Sequence, residues 1–133
     1  MDKWNEIREF LSTELAGWGR DCCVSGTFLT RIPFPSVKDA GKKGRLGAAS
    51  RAFPLIGGLI GVIAGLALLA AAGLGLHPLA CALIALAVSA LVTGALHEDG
   101  LADVADGFGG GGNKAARLKI MRDSRIGTFG VLA

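Results

Sequence analysis

The feature that most constrains the fold is a long segment without charged residues. Residues 52 to 97 contain no Asp, Glu, Lys or Arg, although 19% of the chain is charged. A membrane-spanning helix needs about 20 apolar residues, so this segment is long enough for two crossings. We predict spans at residues 52–76 and 79–96, with His77 and Pro78 in the turn between them, because proline interrupts helical hydrogen bonding. The alternative is a pair of buried helices in a soluble bundle.

Basic residues flank this segment on both sides, whereas the turn inside it carries none. They are Lys38, Lys42, Lys43, Arg45 and Arg51 before it, and Lys114, Arg117, Lys119, Arg122 and Arg125 after it. Because short loops rich in Lys and Arg stay in the cytoplasm, both flanks are predicted to be cytoplasmic. The net charge of +3 suits contact with an anionic lipid bilayer or with phosphorylated substrates. The basic stripe typical of nucleic-acid binding is missing, so no nucleic-acid partner is expected.

The two ends of the chain are predicted to be helical or apolar. In the first twenty residues apolar side chains recur at helical spacing, which predicts an amphipathic helix. Its apolar face lies against the membrane interface or the rest of the protein, or it binds a partner. Residues 114–122 predict a short amphipathic helix, and "GTFGVLA" begins a third apolar segment. We therefore expect the chain to be a fragment of a longer protein.

The segment "ALHEDGLADVADGFGGGG", residues 95–112, places acidic residues directly after the apolar segment. If residues 97–106 continue the second helix, Asp99, Asp103 and Asp106 stand at i, i+4 and i+7 on one face. Three like charges on one face repel one another unless a cation lies among them, and oxygen ligands favour Mg²⁺ over zinc. The sequence therefore predicts a Mg²⁺ site. The alternative is a solvated acidic helix end.

The remaining residues of this segment are interpreted separately. His97 either caps the helix or contacts substrate. Glu98 points away from the aspartate face, because successive helical residues are rotated by about 100°, and it is predicted to be solvated. The interval "FGGGG", residues 108–112, is not expected to be regular helix, because glycine loses much conformational entropy on ordering. It is either a flexible linker or a cradle for phosphate.

The segment "MRDSRIGTFG", residues 121–130, supplies groups that bind phosphate. Arg122 and Arg125 can clamp phosphates through paired hydrogen bonds, with Ser124 donating another. The alternative is that both arginines only anchor the cytoplasmic flank. Asp123 is either a further metal ligand or an ion-pair partner of the arginines. Carboxylate-held Mg²⁺ beside arginines is typical of phosphoryl and nucleotidyl transfer.

Four motifs together resemble one enzyme family. They are "FLTRIPFP", "FPLIGGLIG", "HEDGLADVADGFGGG" and "MRDSRIGTFG", in this order. Over about residues 27–133 the chain resembles the N-terminal half of the cobalamin synthase family, the adenosylcobinamide-GDP ribazoletransferases. Residues 1–26 lie outside the resemblance as an N-terminal amphipathic extension. The resemblance implies an all-α, polytopic helical bundle in the bacterial inner membrane, with its active site facing the cytoplasm.

The resemblance also implies a reaction and residue roles. Family members join α-ribazole or α-ribazole 5′-phosphate to adenosylcobinamide-GDP, giving adenosylcobalamin or its 5′-phosphate and GMP. By position, Asp99, Asp103 and Asp106 would hold Mg²⁺ on the diphosphate, and Asp106 is the hypothesised proton acceptor. The predicted catalytic residues are His97, Asp99 and Asp106, and the predicted phosphate-binding residues are Arg122, Ser124 and Arg125. Family members are longer than this chain, so it is left open whether the chain is active by itself. Its choice of ribazole substrate and its assembly as a homo-oligomer are left open as well.

Two rival functions are weighed against this one. A CDP-alcohol phosphotransferase-like membrane enzyme would need Ala-Arg after its Asp-Gly pair, and "DGLADVADG" lacks that step. A non-catalytic cation-binding membrane subunit would need acidic residues inside its spans, and residues 52–97 contain none.

Overall fold

The structure is a computed structural model that describes residues 2–133, and these residues form helices joined by loops, without a β-strand. In chain order the α-helices are α1 (Asp2–Leu29), α2 (Arg45–Ala49), α3 (Phe53–Gly73), α4 (Pro78–Thr93), α5 (Leu96–Gly110), α6 (Lys114–Ile120) and α7 (Thr128–Leu132). A short 3-10 helix at Ser50–Ala52 joins α2 to α3. The predicted all-α class is therefore confirmed. The chain divides into two compact units between Gly94 and Ala95.

In the first unit, α3 and α4 are consecutive apolar helices that pack against each other. Each has a proline in its first turn, Pro54 or Pro78, where the missing N–H costs no helical hydrogen bond. The Nδ1 atom of His77 accepts a hydrogen bond from the Leu79 N–H at 3.3 Å and so caps α4. The turn therefore comprises residues 74–77. The prediction that Pro78 lies in the turn is wrong, because proline suits the first turn of a helix.

One helical stretch of the described residues is long and apolar enough to cross a membrane. It runs from Arg45 to Gly73 as α2, the 3-10 helix and α3. A second candidate span exists among the described residues only if α4 and α5 are counted together across the break between them. Both predicted spans extended too far at their carboxyl ends, because Gly75 and Gly94 adopt left-handed φ values of 77° and 69° just after the helices.

The apolar side chains of α3 and α4 are largely exposed in this chain. Leu55, Leu66 and Leu86 have 57%, 61% and 67% of their surface accessible. The described residues of this chain do not cover these side chains. Contiguous exposed apolar surface is typical of faces that contact lipid or another protein.

Helix α1 contains the predicted N-terminal helix and continues beyond it to Leu29. Its carboxyl half packs within the first unit, where the Ser25 hydroxyl donates a hydrogen bond to the Ala49 carbonyl at 2.9 Å. Gly26 allows the ring of Phe34 to approach the helix backbone, because a Cβ at this position would overlap the ring. These contacts extend the helix past the first twenty residues, whose apolar side chains are mostly exposed.

The second unit begins at a break in the helical backbone. Residues 97–106 do not continue the second apolar helix, which was the condition under which the sequence placed the aspartates on one face. Gly94 and Ala95 both adopt left-handed φ values, of 69° and 59°, and a new helix begins after them. For an alanine this conformation costs about 1–2 kcal/mol, which only the surrounding structure can offset. The three aspartates of the acidic segment nevertheless lie on one helix, α5, with the predicted spacing.

The glycine run after the aspartates is partly helical, so the prediction that "FGGGG" is not regular helix is wrong for its first residues. Helix α5 continues through Gly110. A Cβ on Gly109 would overlap the ring of Phe129, and a Cβ on Gly107 would collide with the side chain of Met121. The close approach of α6 and α7 therefore requires glycine here, and this packing offsets a helical cost of about 1 kcal/mol per glycine.

Candidate active site

The first turns of α5 and the loop after α6 enclose a cavity of about 260 Å³. Helix α5 contributes Asp99 and Asp103, which are one turn apart and share a face. The loop contributes Arg122, Ser124 and Arg125. The structure thus brings together five of the residues that the sequence assigns to metal and phosphate binding, and we call this space the α5 cavity.

The two aspartates of the α5 cavity are accessible acids that are not engaged in a described ion pair. Asp99 is exposed and Asp103 is half-buried. Among the described residues, neither carboxylate forms an ion pair. Like charges one turn apart on a helix destabilise each other by a few tenths of a kcal/mol. A cation in the α5 cavity would relieve this repulsion.

Asp123 is an ion-pair partner of one arginine, which resolves one of the alternatives that the sequence leaves open. Its carboxylate accepts hydrogen bonds from Arg125 Nε at 3.1 Å, from Nη2 at 2.9 Å and from the Arg125 backbone N–H at 3.1 Å. The side-chain and backbone hydrogen bonds from Arg125 lower the pKa of Asp123 from 3.8 to about 2. The same contact raises the pKa of Arg125. Both groups are therefore charged at neutral pH, and the pair links the residues on either side of Ser124.

Asp106, unlike the other two predicted metal ligands, does not line the α5 cavity. It is buried, and its two oxygens accept hydrogen bonds from the backbone N–H groups of Gly127 at 2.6 Å and Gly130 at 2.9 Å. A Cβ on either glycine would collide with the Asp106 carboxylate, so glycine is required for this contact. Asp106 lines a neighbouring cavity of about 460 Å³ together with Asp123 and Arg125. The structure therefore shows Asp106 holding the start of α7 against α5.

The first turn of α5 also carries His97 and Glu98, and both side chains are exposed. Neither belongs to the residues that line the α5 cavity. The expected role of His97 in contacting substrate stays a prediction. The exposure of Glu98 agrees with the expectation that it is solvated.

The α5 cavity suits a metal ion that is shared with a substrate better than a metal ion held by protein ligands alone. No group of three or more His, Cys, Asp or Glu residues that could hold a metal ion occurs in the described part of the chain. Mg²⁺ is commonly bound through one or two carboxylates, with waters and substrate phosphates completing its octahedron. Asp99 and Asp103 provide such a pair, so the donor set fits Mg²⁺ shared with a phosphorylated substrate. The Mg²⁺ site itself stays a prediction.

Sequence reasoning missed a buried ion-pair cluster in the first unit. Asp21 accepts hydrogen bonds from Arg45 Nη2 at 2.5 Å and from Arg51 Nε at 2.6 Å. Burial by itself raises the pKa of Asp21, but the hydrogen bonds and charges of Arg51 and Arg45 outweigh it, and the net pKa is lowered. The partners lie 24 and 30 residues apart in sequence, so no local pattern could reveal the cluster.

A sequence model of the family described as cobalamin-5-phosphate synthase matches residues 21–133. The chain belongs to this family. The resemblance expected from the four motifs is thereby confirmed, and the family match includes Asp21, both of its arginine partners and every residue of the α5 cavity. The predicted boundary between residues 26 and 27 stays a prediction.

Several curated relatives in the family are similar over most of this chain. The chain is 58% identical over 113 residues to the adenosylcobinamide-GDP ribazoletransferases of Rhizobium etli (strain CIAT 652) and Rhizobium johnstonii, covering 85% of the chain and 44% of each relative. It is 53% identical over 105 residues to the protein of that name from Brucella ovis, covering 79% of the chain and 40% of the relative. The chain thus spans less than half the length of these relatives. No solved structure matches it.

Proposed function

We propose that this chain forms the Mg²⁺-binding and phosphate-binding part of an adenosylcobinamide-GDP ribazoletransferase. The observation that carries the proposal is the α5 cavity, which two accessible aspartates line together with two arginines and a serine. Family membership and the names of the relatives support the same activity. The proposed enzyme acts late in cobalamin biosynthesis, and its substrates are adenosylcobinamide-GDP and α-ribazole or α-ribazole 5′-phosphate.

The proposed reaction exchanges one phosphorus–oxygen bond for another. A ribose hydroxyl oxygen of the ribazole forms a bond to the phosphorus that is attached to cobinamide. The bond from this phosphorus to the oxygen of GMP breaks, and GMP leaves. Because a 5′-phosphate on the ribazole is retained in the product, a hydroxyl other than the 5′ oxygen is the nucleophile for that substrate. The proton of the hydroxyl passes to a base.

The residues of the second unit divide this work. Asp99 and Asp103 would hold Mg²⁺ against the diphosphate of adenosylcobinamide-GDP. When bound there, Mg²⁺ neutralises charge on the phosphate oxygens. Arg122 has no ion-pair partner among the described residues, so its guanidinium group is available for a phosphate. Arg125 is positioned by Asp123, and Ser124 between them offers a hydroxyl donor.

Two residues that do not line the α5 cavity, Asp106 and His97, also have proposed roles. Asp106 is the proposed proton acceptor and third metal ligand, although each of its oxygens already accepts one backbone hydrogen bond. A carboxylate has about four acceptor sites, so acceptor capacity remains. His97 is the proposed contact to the substrate from the first turn of α5.

We also propose that the protein is a multi-pass protein of the bacterial inner membrane, with the α5 cavity on the cytoplasmic side. The exposed apolar side chains of α3 and α4 support contact with lipid. Basic residues before α3 and after α5 support a cytoplasmic position for both flanks. A cytoplasmic site would meet its soluble diphosphate substrate directly.

The test compares two neighbouring acids of α5 by changing each to its amide. Asp99→Asn removes a proposed Mg²⁺ ligand, whereas Glu98→Gln removes the same charge from a residue outside the α5 cavity. With membranes that contain the protein, we expect Asp99→Asn to lower the conversion of adenosylcobinamide-GDP and α-ribazole on the order of 100-fold at limiting Mg²⁺. Glu98→Gln should keep nearly full activity.

The Mg²⁺ concentration that gives half-maximal activity is the second readout. It should rise for Asp99→Asn and stay unchanged for Glu98→Gln, because only the first residue is proposed to bind the ion. Equal activities and equal Mg²⁺ requirements in the two variants would contradict the metal assignment. Product formation that does not depend on Mg²⁺ would contradict it as well.

A further inference from the structure

A second cavity, in the first unit, has a charge pattern opposite to that of the α5 cavity. It has a volume of about 510 Å³ and is enclosed by the middle of α1, the loop before α2, and the start of the apolar helical stretch. Its charged lining residues are Arg20, Asp21, Asp39, Arg45 and Arg51. We call this space the arginine cavity, because three guanidinium groups line it.

Asp21 fixes two of the three arginines at the wall of the arginine cavity. One of its oxygens accepts from Arg45 and the other from Arg51, at 2.5 and 2.6 Å. The guanidinium group of Arg51 is also stacked 4.6 Å from the centre of the Trp18 ring. A Cβ on Gly17 would lie 3.3 Å from Arg51 Nη2, so the glycine gives this side chain room against α1. Both guanidinium groups are therefore held in place before any ligand arrives.

The arginine cavity has guanidinium charge and N–H donors that are not engaged by the carboxylates lining it. Each guanidinium group has five N–H donors, and Asp21 engages only some of those on Arg45 and Arg51. The other lining carboxylate, Asp39, is paired with Lys42 at 2.8 Å. Among the described residues Arg20 forms no ion pair. Arg51 also lies 4.0 Å from the exposed carboxylate of Glu14, so the unpaired positive charge of the lining is that of Arg20. The lining thus combines prearranged donors with one unpaired guanidinium group, which is an arrangement that binds phosphate groups.

We propose that the arginine cavity binds a phosphate-bearing anion between Arg20, Arg45 and Arg51. The apolar helix α3 begins directly after this cavity, at Phe53. If α3 spans the membrane, the arginine cavity lies at the level of the headgroups, where both phospholipid phosphates and soluble phosphates are present. The shared chemistry is a phosphate group, and the site stands whether or not the chain has transferase activity.

Trp18 allows this binding to be measured directly. The chain has two tryptophans, so Trp4→Phe leaves Trp18 as the single tryptophan, in contact with the guanidinium group of Arg51. The full chain in neutral detergent is titrated with inorganic phosphate in one arm and with dihexanoyl phosphatidylglycerol in the other. Sodium chloride at equal ionic strength is the reference titration. We expect a saturable change in Trp18 fluorescence with at least one phosphate probe and none with sodium chloride.

Arg20→Gln is the decisive variant, and Arg8→Gln is its matched control. Both remove one positive charge from α1, but Arg8 does not line the arginine cavity. Because Arg20 has no described ion pair to lose, the variant should keep its helical circular dichroism and melting temperature. We expect Arg20→Gln to weaken binding about tenfold, as the loss of one charge-assisted hydrogen bond implies, and Arg8→Gln to leave it unchanged.

Each outcome decides for or against the site. Saturation by phosphatidylglycerol alone supports the site with a lipid headgroup as its source of phosphate, and saturation by inorganic phosphate supports it with a soluble ligand. No saturable change with either probe overturns the proposal. Unchanged binding in Arg20→Gln, or equal weakening in Arg8→Gln, overturns it as well, because binding would then depend on net charge and not on this cavity.

Discussion

Two buried aspartates, one in each unit of the chain, are stabilised in different ways. Asp21 in the first unit accepts hydrogen bonds from two arginine side chains, whereas Asp106 in the second unit accepts them from two backbone N–H groups. Arginine partners cancel the charge of the carboxylate, and backbone amides only solvate it. A buried aspartate can therefore organise cationic side chains or organise the backbone.

The difference follows from what surrounds each residue. The arginines that meet Asp21 precede an apolar helix, so the ion pairs connect α1 to the start of α3. Asp106 meets the backbone of α7, where Gly127 and Gly130 leave space for a carboxylate in direct contact with main-chain donors. We expect the ion-pair arrangement to be the more costly one to disrupt, because its disruption leaves charges unpaired.

The largest effect is expected from Asp21→Asn. The change leaves Arg45 without its counter-charge in a partly buried position, and leaves Arg51 with only the more distant carboxylate of Glu14. Removing one partner of a buried pair costs about 3–5 kcal/mol, and we expect about 2–3 kcal/mol here, because water still reaches Arg51. Thermal unfolding of the chain in detergent, followed by helical circular dichroism, measures this loss.

Glu14→Gln is the matched control for Asp21→Asn. Glu14 lies 4.0 Å from Arg51, with half of its side chain exposed. Exposed ion pairs of this kind contribute about 0–1 kcal/mol, so the melting temperature should hardly change. If both substitutions lower stability equally, the buried position of Asp21 has no special importance and the comparison with Asp106 fails.

A smaller and more local effect is expected from Asp106→Asn. The amide side chain has one oxygen acceptor in place of two, so one of the N–H groups of Gly127 and Gly130 loses its partner. An unpaired buried donor costs about 1–3 kcal/mol. Hydrogen exchange at these two amides should therefore become about tenfold faster or more. Asp103→Asn, one turn earlier on α5, is the control and should leave the exchange of both amides unchanged. An equal increase in the two variants would contradict the assignment of Asp106 as the acceptor of these two backbone N–H groups.

The sequence predicted the parts of the site that depend on local spacing. Asp99 and Asp103 could be placed together because they are one helical turn apart, and residues 122 to 125 could be grouped because they are adjacent. The helical class followed equally from the uncharged segment and from helical spacing. These predictions needed only the period of an α-helix, which holds in any surrounding.

The predictions that failed depended on contacts between distant residues. Nothing local shows that Gly109 packs under Phe129, so a run of glycines was expected to end the helix earlier than it does. The break at Ala95 was missed because alanine is a strong helix former, and its left-handed φ arises only in the folded chain. The pairing of Asp21 with two arginines likewise exists only after α1 meets α2 and the 3-10 helix.

The smallest effect is expected at Asp123, an exposed aspartate whose partner is Arg125. It extends the comparison of Asp21 and Asp106 to an aspartate at the surface. Asp123 should titrate with a midpoint near pH 2 in the folded chain, against 3.8 for an ordinary aspartate. Because the pKa is lower when folded, the contribution of this pair to stability is present above pH 3.8 and is lost as the pH falls through 2. Carboxyl ¹³C chemical shifts report the midpoint. Arg125→Gln should move the midpoint of Asp123 back toward 3.8, whereas Arg122→Gln should not. A midpoint near 3.8 in the unaltered chain would show that Arg125 does not lower the pKa of Asp123.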